Sequence, residues 1–320
     1  MRLLKRRKAA TFDPAMGDVE LQQAIDHLAE GDWRFVQDLF DARSDRWLLS
    51  SVLNSDHAAI PLSRFEEWAD TAGSAVSMAF LGQAQVRAAW AQRGRAPIQR
   101  VEQETLDRFH ADLEQAEETL RDAAKMAPRS SEPWVGLMVS ARGLGLRKSE
   151  IESRFVEVHA REPFRPDACH HMLQSLSAKW MGSHEEMFEF AEFIRQEAPG
   201  DSPCAGVVAM AHFEYAMSGW ERVTLAEYLR RPEVSEELLA SARPMLEATS
   251  GLAPTEYVSA LNLFVLMIEP RDALSGRAIR ETITRVGDRA SSVPWSYFGE
   301  DIDRRFIQVR DERAKAAKRL

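Results

Sequence analysis

Three prolines set the frame for this chain. "MAP" ends at Pro128, "REP" at Pro163 and "EAP" at Pro199, so the same punctuation recurs after 35 and then 36 residues. Each is followed by a short polar turn and a new apolar stretch: PWVGLMVSARGLG, PDACHHMLQSLSAKW and PCAGVVAMAHFEYAM. Cys169 and Cys204 stand 35 residues apart, at nearly the same phase of two such units. Within the units the apolar residues recur at helical spacing, and no segment sustains the period-two alternation of a strand. A helix–turn–helix unit of this length cannot bury its own apolar stripe, so neighbouring units must stack.

A 34 to 36 residue period is the mark of a tetratricopeptide-like (TPR-like) array. Trp134 and Leu137 reproduce its W-x2-L signature, but Met138 stands where the consensus has glycine and Ala141 where it has tyrosine. Phe155 and Pro163 fall one residue late, and the next unit carries extra residues around KWMGSH. Outside residues 113 to 218 the period fades while paired amphipathic helices continue. The expected fold is all-α: a right-handed superhelix of antiparallel helix pairs, a degenerate TPR-like α-solenoid of about 14–16 helices with essentially no sheet. The expected layout is a basic tail over 1–17, helical pairs over 18–98, TPR-like repeats over 99–230 and further pairs with a basic end over 231–320. The array is continuous or bends near 95–100 or 230. Three blocks, DPAMGDVELQQAIDHLAEGDW, MLQSLSAKWMGSHEEMFEFA and PWSYFGEDIDRRFIQVRDERA, are similar to an uncharacterised bacterial family of TPR-like helical-repeat proteins. That resemblance implies the fold and carries no catalytic residues with it.

Helix boundaries are marked locally. Ser63–Glu66, Ser149–Glu152 and Ser183–Glu186 have capping-box spacing, in which serine accepts the N3 amide and glutamate reaches back. Gly31 ends one helix and Asp32 starts the next. Pro203 and Pro254 suit first helical turns, and Val101–Ala127 reads as one long amphipathic helix. In the corner SAKWMGSHEEMFEF, Trp180 reads as the last core residue of a helix and Gly182 as the turn. Met187, Phe190 and Ile194 start the next stripe, with His184 and Glu185 facing water.

The net charge of −9 is uneven. Residues 1 to 8 hold five cations and residues 304 to 320 hold seven against Asp311 and Glu312, leaving a body of about −19. An acidic body argues against a broad nucleic-acid surface, which needs clustered cations. The basic ends read as solvated tails, with anchoring on anionic lipid or nucleic acid as the alternative. No apolar run approaches the ~20 residues that span a bilayer, and the basic start lacks an apolar signal core. Two cysteines make no disulfide framework, so the expected location is the cytoplasm.

The candidate chemistry is thin. Cys169, His170, His171, His184 and Glu185 offer metal-ligand types, but adjacent histidines diverge by about 100° on a helix and HEEMF is not HExxH. There is no GxSxG, no GxxxxGK[ST] and no GxGxxG after a strand. RGLGLRK reads as a turn, and the eight tryptophans as packing between helices. The expectation is a non-enzyme without metal or cofactor that binds a protein or peptide through the concave face of its first helices. The partner-facing candidates are Arg142, His171, Ser175, Lys179, Glu214 and Tyr215. An enzyme or metal site near His171 and His184, and a regulatory module acting through the basic ends, are the alternatives.

Overall fold

The computed structural model of the chain describes residues 12–94, 96, 98–299 and 301–320. The basic stretch Arg2–Lys8, and Arg95 and Pro97 of the possible bend, lie outside the described residues. The described residues form sixteen α-helices and no β-strand. Contacts divide the described residues after Ile194 into two compact units, residues 18–194 and residues 195–320 together with 12–17.

Residues 18–194 open with α1 (Val19–Glu30), α2 (Trp33–Ala42), α3 (Arg46–Leu53) and α4 (Leu62–Ala72). The long pair α5 (Ala75–Arg93) and α6 (Gln103–Met126) follows, then α7 (Glu132–Gly143), α8 (Lys148–Arg161), α9 (Pro166–Leu176) and α10 (His184–Glu197), whose last turn crosses the boundary. Pro128, Pro163 and Pro199 each fall in the turn after an even-numbered helix, so the punctuation read from the sequence separates real hairpins. Helices α5, α7 and α9 pack side by side; α6 touches α5 and α7, and α8 touches α7 and α9. Phe109, Leu113 and Leu120 of α6 fill the space against Val86, Ala89 and Leu137. Met138, Ile151, Val158, Met172 and Leu176 form the next layer. Each large apolar side chain so buried contributes roughly 1.5–3 kcal/mol. The approach is close enough that a Cβ on Gly82 or Gly136 would stand 2.5 or 2.8 Å from the Leu120 side chain.

Two buried ionic knots tie these layers. Arg154 of α8 donates to Glu117 of α6 at 2.5 Å and to the Leu137 carbonyl. Arg165, fully buried, grips Glu132 with both terminal nitrogens at 2.7 and 3.0 Å and also holds Asp167. Glu132 in turn accepts from Gln83 of α5, whose side-chain oxygen accepts from Ser50 of α3. Helix α3 also packs on α9, so the chain itself covers part of the side formed by α5 and α9.

The helix starts correct part of the sequence reading. Ser183 caps α10: its oxygen accepts from the Glu186 amide at 3.1 Å, and the Glu186 carboxylate takes both Ser183 donors. Ser63 and Ser149 cap nothing. Helix α4 starts after Pro61 and α8 after Arg147, which leaves each serine inside the first turn. Pro61 supplies the N-terminal stop through its fixed φ. The capping boxes present instead are Ser74–Ser77, Thr224–Glu227 and Asp272–Ser275.

Residues 195–320 contain α11 (Gly206–Met217), α12 (Leu225–Leu229), α13 (Pro232–Ala248), α14 (Val258–Met267), α15 (Ala273–Val286) and α16 (Ile302–Ala317). Helix α14 is buried almost all round and α11 over its first nine residues, as helices apolar on every side must be. Helix α14 touches α11, α13, α15 and α16. Asn262, fully buried on α14, accepts from the Trp295 indole at 2.6 Å and donates to the Val258 and Arg289 carbonyls. The basic C-terminal end is not a solvated tail. Ile302, Phe306 and Val309 are buried along α16, while Arg310 pairs with Asp288 and Asp311 and Arg313 with Glu269. The apolar residues interleaved with the cations explain the difference: they form a stripe that docks the helix.

Candidate functional site

The six partner-facing candidates separate into two groups. Arg142, His171, Ser175 and Lys179 lie in residues 18–194, and Glu214 and Tyr215 in residues 195–320.

In the first group, α7 and α9 bring Arg142 to His171. The Arg142 guanidinium donates to the His171 carbonyl at 3.3 Å and lies 5.5 Å from the centre of the Trp180 ring. The Trp180 ring meets Trp90 edge-on at 5.7 Å, and Arg93 covers the other aromatic at 5.6 Å. The ends of α5 and α7 and the chain beyond α9 thus carry two contacting indoles flanked by two arginines, each guanidinium close to a ring face. Trp180 is not the last core residue of α9. That helix stops at Leu176 because Ser177 is extended, and Trp180 stands in the following turn, 37% exposed. Gly182 has the duty the sequence suggested, since a Cβ there would come within 2.1 Å of the Leu176 carbonyl oxygen. Lys179 is exposed. Ser175 is buried and its hydroxyl donates to the His171 carbonyl, so it faces the protein rather than solvent. The His171 Nδ1 is buried without a hydrogen-bond partner. Burial, with Arg142, His170 and Arg165 nearby, holds the imidazole well below its ordinary range, so the ring is neutral at physiological pH.

In the second group Glu214 is buried on α11 and accepts from Tyr297 at 2.5 Å. Tyr215 donates to Glu221 at 2.5 Å, which raises the phenol's pKa, and Glu221 pairs with Arg231. The neighbouring residue His212 was invisible to sequence reasoning. Its Nε2 stands 2.8 Å from Glu237 and its Nδ1 2.7 Å from the Tyr228 hydroxyl. A carboxylate only accepts, so Nε2 carries the proton and Nδ1 accepts from Tyr228. Burial outweighs Glu237 and lowers the His212 pKa. Burial also raises that of Tyr228. The phenol is therefore held as a neutral donor, the opposite of an activated nucleophile. The set pins α12 between α11 and α13. No short motif announces it, because His212 and Glu237 sit on different helices, 25 positions apart.

The metal-ligand types do not converge. Among the described residues no group of three or more His, Cys, Asp or Glu side chains is placed to hold a metal ion. Cys169 is buried in the apolar stripe of α9 and Glu185 is exposed. Two surface recesses, about 170 Å³ beside Leu239, Leu246 and Leu274 and about 260 Å³ beside Arg93, Arg108 and Phe109, are lined by none of the six candidates. No helix is long and apolar enough to cross a membrane, among the described residues.

No protein-family model matches this chain, and no curated protein matches it.

Proposed function

We propose that the chain is a non-catalytic, TPR-like scaffold of the cytoplasm that binds a protein or peptide partner. The hairpins of residues 18–194 form an α-solenoid wound in the right-handed sense. Their first helices α5, α7 and α9 present the partner-facing side. One observation carries the reading: the side-by-side packing of α5, α7 and α9 ends in half-buried Trp90 and Arg142, which back the exposed Trp180 and Lys179. Aromatic and arginine side chains are the residue types that anchor protein interfaces. The perturbed titratable groups serve packing: His171 beside this face is neutral, Tyr228 within residues 195–320 is a held donor, and neither is poised for proton transfer.

The test is capture in the native cell. A photo-cross-linking phenylalanine derivative in place of Lys179 is expected to trap one dominant protein partner, and Arg142→Ala is expected to abolish the adduct. If the purified chain instead carries one zinc ion that is lost when His171 and His184 are both replaced by alanine, the scaffold reading falls to the metal-site alternative.

A further inference from the structure

A closed ring of five aromatic side chains lies within residues 18–194, across α8 and α10. Phe155 meets Phe190 edge-on at 5.5 Å, Phe190 meets Phe193 at 6.2 Å, and Phe193 meets Phe164 at 6.4 Å. Phe164 meets His159 at 4.7 Å and His159 returns to Phe155 at 5.9 Å. The inner edge of the ring is anchored, because Phe155 and Phe190 pack against the core layer of α7, α8 and α9. The outer edge is open: Phe193 is 41% and Val156 61% exposed.

Core packing alone does not account for this edge. Phe164 sits in the left-handed region at φ 55°, a conformation that a bulky residue adopts only against a steric penalty. The chain accepts that penalty at the position that closes the ring. A contiguous exposed apolar patch on a helical surface marks a place where something docks.

The charges around the ring select the occupant. Exposed Glu152 precedes Phe155 and Val156 by one helical turn, and exposed Glu189 precedes Phe193 by one turn, with Glu185 beside it. Of the cations on α8, Lys148 is already paired with Glu186 and Arg161 with Glu157. Anionic lipid and nucleic acid are both repelled by such a border, as is a second copy of a chain with net charge −9. We propose that the aromatic ring on α8 and α10 is a second docking surface, and that it takes a basic amphipathic peptide segment. An apolar anchor of that segment sits on Phe193 and Phe164 while its lysines or arginines face Glu152 and Glu189.

The probe is a fluorescein-labelled synthetic peptide of leucine and lysine, patterned as an amphipathic helix, titrated with the full chain by fluorescence anisotropy. Phe193→Ser and Glu189→Lys change exposed side chains, so both variants are expected to keep the wild-type circular dichroism melt. Each is expected to bind the peptide roughly tenfold more weakly. Leu274→Ser, at another exposed apolar position in residues 195–320, is expected to bind as the wild type does. The proposal is overturned if both patch variants bind normally, if Leu274→Ser weakens binding as much, or if a glutamate-for-lysine peptide binds equally well. It is also overturned if Phe193→Ser instead dissolves a homodimer in sedimentation, or releases the chain from phosphatidylglycerol vesicles. None of these outcomes depends on the face formed by α5, α7 and α9.

Discussion

Arg165 ties the start of α9 to Glu132 of α7. Its side chain is fully buried, and its three nitrogens are shared among Glu132, Asp167, Glu162 and Ser131. A buried ion pair contributes little net stability compared with a well-packed apolar pair, but removing one member strands the other charge. Arg165→Met is therefore expected to cost about 3–5 kcal/mol in urea unfolding, and Glu132→Met in the same background to cost less than it does alone. His171 makes a second prediction. Its folded pKa lies below the unfolded value of about 6.5, so on acidification the unfolded chain takes up a proton that the folded chain refuses. Stability is present in full above about pH 6.5 and falls as the pH drops below it, by up to about 1.4 kcal/mol per pH unit for this group. His171→Gln is expected to flatten that slope in denaturation curves taken between pH 7 and pH 5. An unchanged slope would assign the acid sensitivity to other groups, His212 first. Neither role was legible in the sequence. REPFRPD shows an arginine between two acids, which a solvent-exposed turn would show equally.

Among the elements, the hairpins were read well where their signals are local. Pro128, Pro163 and Pro199 each stop a helix because a ring nitrogen donates nothing and its side chain crowds the preceding turn. Ser183 caps α10 with the partner its spacing announced. Ser63 and Ser149 show the weakness of the same pattern: a serine three residues before a glutamate fits a first helical turn as well as a cap. Trp180 failed for a related reason. Its spacing continues the stripe of α9, but Ser177 turns extended and the helix ends first. Glycine at close approaches gives the tests at this scale. Gly136→Ala pushes a methyl group to 2.8 Å from Leu120 and is expected to lower stability by about 1–3 kcal/mol, with partial recovery when Leu120→Val is added. Gly182→Ala is expected to be worse, because the atom it meets at 2.1 Å is the Leu176 carbonyl oxygen and backbone cannot swing aside. Equal melting temperatures for these two variants would contradict that distinction.

For the whole molecule, the two units each own a core, and their unfolding is expected to separate. Asn262→Ala leaves the Trp295 indole without its acceptor inside residues 195–320, at about 1–3 kcal/mol. In hydrogen-exchange mass spectrometry it is expected to speed exchange in α11, α14 and α16 while α5 to α9 keep their protection. Uniform loss across both units would mean that they unfold as one. The helical class, the hairpin boundaries near the three prolines and the long α6 were present in the sequence by itself, because periodicity, caps and proline act over a few residues. Tertiary structure alone decided that α3 packs on α9, that α16 docks instead of trailing in solvent, and that Ser175 and Glu214 turn inward. It also decided that His212 finds Glu237 and that five separate aromatic side chains close into one ring. These depend on residues brought together from distant positions, and no short window of sequence contains both partners.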